Sequence, residues 1–283
     1  MTLPPWHAHI DVWLVLGSVV AAYLTAVRRH DRDLPDHTFP PEEPTPRRKV
    51  RLFLLGMAVL WLGADWPIHD LAERYLFSVH MVQHTLFSLV AAPILLAGMP
   101  VWLLRRLLGP RWVRSVWGVV TRPVAALVLF NGILFFMHWP AVVEIAVTNE
   151  LVHFGLHVLL VGSALVMWWP ILSPLPEMPP LPAPGQMLYL FFQSLAPTIP
   201  ASFLTFGTHP LYPVYEGFPR IWGMSVLTDQ LVAGLIMKLV GGMILWGVIA
   251  AVFFRWGHRE RRDGFDALRY SDVEREIRAE MSR

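Results

Sequence analysis

The sequence predicts an all-α protein: a polytopic bundle of seven transmembrane helices, with the N-terminus outside and the C-terminus in the cytoplasm. Three observations support this prediction. The composition is 55% hydrophobic and only 16% charged, whereas about one quarter of the residues of a soluble domain are charged. Seven apolar stretches have the length of a membrane span or nearly so. The Lys and Arg residues concentrate on one side of those stretches.

The seven stretches follow from the length that a membrane-crossing helix needs, about 20 apolar residues for a hydrocarbon core of about 30 Å. They cover approximately residues 10–27, 50–68, 76–104, 122–139, 150–171, 185–206 and 230–254. We do not expect the first to be a signal peptide, because no Lys or Arg precedes its apolar run.

Proline marks two of these stretches as irregular. The third contains Pro93 and Pro100, so we expect a kink or an interfacial continuation near its end. The sixth contains Pro197 and Pro200 and is the least regular of the seven. The proline-rich segment 172–184 between the fifth and sixth stretches is predicted to be a non-helical connector.

The orientation follows from the basic residues. The segments after the first and third stretches and the C-terminal tail together hold 20 of the 23 Lys and Arg residues. Basic residues favour the cytoplasmic side, and one crossing more or fewer would divide these segments between the two sides. We therefore divide the chain into an extracytoplasmic N-terminus (1–9), a seven-helix membrane domain (10–255) and a cytoplasmic tail (256–283), the tail being a short amphipathic or frayed helix.

With this topology, the histidines gather at the outer ends of the helices. Nine of the 12 fall there: His7, His9, His69, His80, His84, His138, His153, His157 and His209. His80 and His84 are four residues apart, as are His153 and His157, so each pair shares one helix face. His138 closes the fourth stretch at a similar depth.

Five histidines are therefore candidate metal ligands: His80, His84, His138, His153 and His157. Imidazole suits copper or zinc, and the absence of cysteine excludes thiolate sites. Met81 and Met137 adjoin two of these histidines; a thioether favours Cu(I), although packing is the simpler role for methionine. Structural or proton-relay histidines are the alternative.

Other polar residues in the apolar stretches are candidates for supporting roles. Asp65 and Asp229 lie near the outer interface, and Lys238 lies about 13 Å deeper than Asp229 by helical rise. An isolated ammonium group there is unfavourable, so we expect Lys238 to snorkel or to find a carboxylate, with Asp65 a possible partner.

Amide side chains and absent motifs narrow the function further. Gln83, Asn131 and Gln193 are expected to form interhelical hydrogen bonds. The spacing of His80 and His84 resembles that of a zinc protease motif, but the glutamate general base is missing. There is no phosphate-binding loop and no nucleophile-elbow motif. The membrane topology already explains the basic loops, so they do not indicate nucleic-acid binding. We expect membrane lipid as a partner and not nucleic acid.

Several short motifs occur in a fixed order from about residue 50 to residue 254. They are HxxQH at 80–84, AAP at 91–93, GxP at 98–100, HWP at 138–140, HxxxH at 153–157, WWP at 168–170 and DQxxAGxxMK at 229–238. Together they resemble the multi-spanning caa3-type cytochrome c oxidase assembly factor family (CtaG-like). Members are seven-span bacterial membrane proteins associated with making haem-copper oxidases, with copper delivery as the suspected role.

The resemblance implies a non-enzymatic assembly factor in the bacterial cytoplasmic (inner) membrane. It would take copper from the outer side and pass it to a cytochrome c oxidase subunit or to another assembly factor. Carried over by position, the family's candidate residues are His80, His84, His138, His153, His157, Asp229 and Lys238.

Two other functions are compatible with the histidine pattern. One is a membrane cytochrome that holds haem between a histidine of the third stretch and one of the fifth. The other is a metal-ion transporter whose path uses Asp65, Asp229, Lys238 and the histidines. The sequence shows no clear inverted repeat, which disfavours the transporter.

Overall fold

The structure, a computed structural model, describes residues 4–34 and 43–282, without the side chains of 263–272. Within these residues the protein is all-helical, with no β-strand. The helices are α1 (Ile10–Arg32), α2 (Arg47–Ala64), α3 (Ile68–Arg74), α4 (Phe77–Gly98), α5 (Val101–Leu107), α6 (Arg111–Val120), α7 (Pro123–Met137), α8 (Pro140–Thr148), α9 (Glu150–Leu172), α10 (Ala183–Phe206) and α11, which begins at Val226 and ends at Met281. A short 3₁₀ turn covers Pro213–Gly217.

Five of these helices, α1, α4, α9, α10 and α11, are long and apolar enough to cross a membrane. Two bent pairs, α2 with α3 at 42° and α6 with α7 at 81°, give up to two further crossings. The chain is therefore an all-helical multi-pass membrane protein with five to seven candidate spans. The number seven and the orientation stay predictions.

Helix α4 ends earlier than the predicted stretch 76–104. It stops at Gly98, and α5 begins at Val101 after an extended turn at Met99 and Pro100. The end is tightly packed: a Cβ atom at Gly98 would collide with the backbone of Phe53 in α2. The hydroxyl of Tyr23 also donates to the Gly98 carbonyl at 3.1 Å. The continuation expected near the end of this span is therefore present as the separate helix α5.

Proline also ends the fourth predicted stretch. Trp139 has extended backbone (φ −69°, ψ 129°), as expected for a residue that precedes proline. Helix α7 therefore ends at Met137, and His138 is its C-terminal flanking residue. The connection that follows contains a short helix, α8, which the sequence interpretation did not foresee.

The C-terminal tail differs from the short or frayed helix that we expected. It continues α11 without interruption as far as Met281. The segment from Val226 onward contains no proline, so nothing breaks the backbone ladder at the end of the apolar part. An ion pair between Arg278 and Glu274, at 2.9 Å and four residues apart, adds support at the far end.

Two helices contain π-helical turns, both next to residues of interest. In α4 the turn covers Leu86–Ala91, directly after His84. In α11 it covers Ile236–Val240 and includes Lys238. The α4 turn is held by α9, since the indole N–H of Trp168 donates to the Ser88 carbonyl at 2.8 Å. Such turns change which side chains face a neighbouring helix and occur frequently at functional sites.

The two ends of the bundle differ in chemistry. At one end, which we term the basic end, Lys49 donates to the Ala97 carbonyl at 2.9 Å and Arg105 pairs with Glu177 at 2.6 Å. At the opposite end, the histidine end, the N-termini of α1, α4, α9 and α11 meet the C-termini of α3, α7 and α10. A large apolar core fills the bundle, and a smaller one around Phe77, Tyr212 and Tyr215 closes the histidine end.

Candidate metal centre

The two predicted histidine pairs face each other across α4 and α9. The ring centroids of His80 and His84 are 4.1 Å apart, and those of His153 and His157 are 4.4 Å apart. Between the helices, His157 lies 5.7 Å from His80 and 5.4 Å from His84, and His80 lies 5.4 Å from His153. Four imidazoles on two helices thus form one cluster.

Three of the four imidazoles have the geometry of a metal site. One nitrogen each of His80, His84 and His157 lies within 4.8 Å of the other two. An ion bound at about 2.0–2.1 Å separates such nitrogens by about 3.4 Å, so small side-chain rotations close the site. Nδ1 of His80 and Nε2 of His84 are buried and have no hydrogen-bond partner within the part of the chain that the structure describes.

Glu73 of α3 orients the fourth imidazole of the cluster. Its Oε1 lies 3.2 Å from Nδ1 of His153. The carboxyl group therefore lies beside one ring nitrogen of His153, which leaves the other nitrogen, Nε2, for a different partner. That Nε2 faces Nε2 of His157 at 3.2 Å. A carboxylate behind a histidine is a common means of orienting a metal ligand.

The same carboxylate reaches a further histidine, His69. Oε1 of Glu73 lies 3.1 Å from Nε2 of His69. Gln83, whose amide also donates to the Gly63 carbonyl at 2.8 Å, contacts Nδ1 of His69 at 3.2 Å. Because that amide nitrogen is a donor, Nδ1 accepts, and Nε2, on the side of Glu73, carries the ring proton. Gln83 is thus linked to the cluster through His69.

His138 lies at the inner edge of the cluster. Its ring centroid is 6.5 Å from that of His84. Nδ1 is 2.7 Å from the Leu134 carbonyl, which only accepts, so Nε2 carries the lone pair. The hydroxyl of Tyr212 donates to the His138 carbonyl at 2.9 Å. Burial raises the pKa of Tyr212, so this hydroxyl stays protonated at physiological pH.

A cavity of about 60 Å³ lies beside His84 and His138. This volume holds a few water molecules or a small ion with ligands. Its polar and sulfur-bearing lining residues are Met81, His84, Thr85, Ser88, Met137, His138, Gln193, Ser194 and Met237. Imidazole and thioether groups therefore share one cavity, directly inside the three-histidine group.

Asp229 is not part of the cluster, but it positions α4. Its two carboxylate oxygens accept the backbone N–H groups of Phe77 at 2.8 Å and Ser78 at 2.9 Å. These donors belong to the first turn of α4, where helices lack internal acceptors. Asp229 is fully buried, and Nη1 of Arg220 lies 3.9 Å from it. A residue of α11 therefore caps the helix that presents His80.

The structure leaves Asp65 and Lys238 outside the cluster. Asp65 accepts the indole N–H of Trp13 at 2.8 Å and the backbone N–H of Trp66 at 2.8 Å, which ties α1 to the end of α2. Lys238 is exposed. The expectation that Asp65 pairs with Lys238 is wrong, because Asp65 already has two N–H donors and the lysine side chain faces outward.

Two of the amides behave as expected of interhelical hydrogen-bonding residues. Nδ2 of Asn131 in α7 donates to Oε1 of Gln193 in α10 at 2.9 Å. The sequence interpretation missed Glu73, which joins two histidines of different helices. A signal was available in the i, i+4 spacing of His69 and Glu73, the same spacing that identified the histidine pairs.

Most of the chain matches one protein family. Residues 21–259 match the family described as cytochrome c oxidase caa3 assembly factor (Caa3_CtaG). An uncharacterized protein of Mycobacterium bovis and one of Mycobacterium tuberculosis are each 24% identical to this chain over 256 residues, covering 80% of this chain and 37% of the relative. The chain thus spans little more than a third of the length of these curated relatives. No solved structure matches the chain.

Proposed function

From the premise that this chain belongs to the cytochrome c oxidase caa3 assembly factor family, we propose that it is a non-enzymatic, copper-binding assembly factor of a haem-copper oxidase. It binds copper at His80, His84 and His157 and hands the ion to an oxidase subunit or to another assembly factor. It resides in the bacterial cytoplasmic membrane, with the histidine end facing outward and lipid around the bundle.

Two observations on the same histidines support this proposal. His80, His84 and His157 each have one nitrogen within 4.8 Å of the other two, and Nδ1 of His80 and Nε2 of His84 are buried without a hydrogen-bond partner in the described residues. An unsatisfied buried polar group costs about 1–3 kcal/mol. An ion that His80 and His84 coordinate through these nitrogens, together with His157, satisfies both groups. A proton relay, in contrast, needs each ring to hydrogen-bond to the next, and His80 and His84 lack that link at these atoms.

Copper fits the surroundings better than zinc. The site contains no thiolate, and Met81, Met137 and Met237 line the cavity next to His84. Imidazole with thioether suits Cu(I), whereas zinc prefers imidazole, thiolate and carboxylate ligands. Three protein ligands also leave a coordination position open, which a partner's ligand can occupy during transfer.

Closely spaced imidazole nitrogens favour transfer by ligand exchange. Nε2 of His153 lies 3.2 Å from Nε2 of His157, and Nε2 of His138 is unpartnered among the described residues. An ion can therefore exchange one imidazole for the next without being released into solution. Two acidic residues maintain this arrangement: the buried Asp229 positions α4, and the partly exposed Glu73 lies 3.2 Å from Nδ1 of His153.

Haem and ion transport receive less support. The ring of His80 contacts those of His84, His153 and His157, so no flat slot for a porphyrin separates the α4 and α9 histidines. For transport, two of the three charged residues of the proposed path are engaged elsewhere, since Asp229 caps α4 and Asp65 holds Trp13.

Metal analysis of purified protein tests the proposal. The wild-type protein and the double variant His80→Ala/His84→Ala are expressed with copper, purified in detergent and analysed for copper and zinc. We expect the double variant to lose the tightly bound copper and His209→Ala, an exposed histidine, to retain it. Equal copper content in wild type and double variant refutes the site. A Soret band after haem-replete expression favours the cytochrome, and copper flux in proteoliposomes favours a transporter.

A further inference from the structure

We propose that His7, His9 and Asp70 form a second metal site at the outer surface, which captures a copper ion and feeds the buried histidines through His69 and His153. The identity of the ion rests on the proposed function; the existence of the site rests on its own geometry. The site lies partly outside the family match, because His7 and His9 precede residue 21.

The three side chains have the arrangement of a metal site. Two imidazole nitrogens and one carboxylate oxygen, from His7, His9 and Asp70, lie within 4.8 Å of one another. His7 is exposed, whereas His9 and Asp70 are 8% and 3% exposed. Nε2 of His9 lies 2.9 Å from Oδ2 of Asp70. One ligand thus reaches solvent, and two are held in place beneath it.

The ligand set differs in hardness from that of the buried centre. Two imidazoles with a carboxylate suit a divalent ion such as Cu(II), whereas imidazole with nearby thioether suits Cu(I). With neutral imidazoles, Asp70 also gives the surface site a negative charge that attracts cations. These properties fit a capture site that faces water. An ion captured as Cu(II) gains one electron before the buried centre holds it as Cu(I), and a soluble one-electron reductant supplies that electron.

The segment that bears His7 and His9 is held against the bundle. The indole N–H of Trp66 donates to the Pro4 carbonyl at 3.2 Å. At the start of α1, the indole N–H of Trp13 donates to Asp65 at 2.8 Å. These two bonds join both ends of the segment to the connection between α2 and α3, close to Asp70. The surface site is therefore organised before an ion arrives.

A continuous series of imidazoles leads from this site to the buried centre. Ring centroids are 4.6 Å apart between His9 and His69, 6.2 Å between His69 and His153, and 4.4 Å between His153 and His157. Two imidazoles that share one ion have centroids up to about 6.4 Å apart, from a metal–nitrogen distance of about 2.0–2.1 Å. Each step is within this limit, so an ion can pass from ring to ring.

Glu73 lies at the longest of these steps. Its Oε1 is 3.1 Å from Nε2 of His69 and 3.2 Å from Nδ1 of His153. A carboxylate between the two rings supplies an additional ligand for a cation in transit. The Glu73 side chain is 25% exposed, so it is partly shielded from water but still in contact with it.

The test compares two double variants in the full-length, detergent-purified protein, titrated with Cu(II) and with Cu(I). We expect His7→Ala/His9→Ala to lose a Cu(II) equivalent and keep the Cu(I) equivalent. His80→Ala/His84→Ala should show the reverse. A negatively charged site raises the association rate of a cation by about 10–10³-fold. Loading of the buried centre from Cu(II), with ascorbate added as the reductant, should therefore slow by about tenfold or more in His7→Ala/His9→Ala, with its final occupancy unchanged. His209→Ala serves as the matched control.

The outcomes separate the two proposals. An unchanged Cu(II) equivalent in His7→Ala/His9→Ala refutes the surface site, and an unchanged loading rate refutes its feeding role. Loss of Cu(II) binding in that variant with no effect of His80→Ala/His84→Ala on Cu(I) supports the surface site and refutes the buried one. Because His7 is exposed, the single variant His7→Ala provides a version with little risk to folding, and gel filtration with circular dichroism verifies that each variant is folded.

Discussion

Removal of the Asp229 carboxylate should separate a positioning role from a ligand role at the centre. Asp229 accepts the N–H groups of Phe77 and Ser78 at 2.8 and 2.9 Å and is fully buried. A hydrogen bond to a charged group contributes about 1.5–3 kcal/mol. Asp229→Ala removes two and leaves both donors unpaired, so we expect a loss of about 3–5 kcal/mol in the free energy of unfolding.

The variant should also weaken copper binding, because the first turn of α4 places His80. The assay is thermal unfolding in detergent together with a copper competition titration. Asp229→Asn keeps one carbonyl acceptor and should restore most of the copper affinity while recovering only part of the stability. Asp11→Ala, which removes an exposed acidic residue in the first turn of α1, is the matched control.

Two results would refute this reasoning. If Asp229→Ala unfolds like the wild type, the two hydrogen bonds do not stabilise the start of α4. If Asp229→Asn binds copper as weakly as Asp229→Ala although part of its stability is recovered, the carboxylate acts on the ion itself and not through α4.

Three further predictions follow from single contacts. Glu73→Gln removes the carboxylate beside His153, the imidazole that contacts the ligand His157. It should lower copper affinity without loss of fold, by no more than the about 10–100-fold known for carboxylates directly behind a histidine ligand. Competition titration measures the effect, and unchanged affinity contradicts the positioning role of Glu73. Tyr212→Phe removes the bond to the His138 carbonyl and should cost about 1 kcal/mol. Burial raises the pKa of Tyr212, so the contribution of this group to the free energy of unfolding is fully present below about pH 10 and is lost as the pH rises further. Between about pH 8 and pH 11, the Tm of Tyr212→Phe should therefore fall less than the Tm of the wild type. Gly98→Ala brings a methyl group against the backbone of Phe53 and should cost about 1–3 kcal/mol in the same unfolding assay.

Properties that depend on local sequence were predictable. The helical class follows from the apolar runs, and the shared helix face of His80 with His84 follows from their spacing. The interruptions near Pro100 and Pro140 follow from the geometry of proline. In each case the physical cause lies within a few residues of its effect. The family was also within reach, because its motifs are short and occur in order.

Properties that depend on distant residues were decided by the tertiary structure alone. Asp229 caps a helix that begins 152 residues earlier, and Glu73 of α3 contacts His153 of α9. No periodicity encodes either contact. Lys238 illustrates the same limit: its depth could be calculated from helical rise, but its direction depends on how α11 and its π-helical turn pack against the bundle.

The histidines show both contributions together. Spacing placed two pairs on two helix faces, and charge asymmetry assigned them to one predicted side of the membrane. Only packing decided that the α4 and α9 pairs face each other, that His138 lies at the edge beside a cavity, and that His9 and His69 extend the series to the surface. Helix geometry determines the direction of a side chain relative to its own axis, whereas the neighbour that it meets depends on the arrangement of the whole bundle.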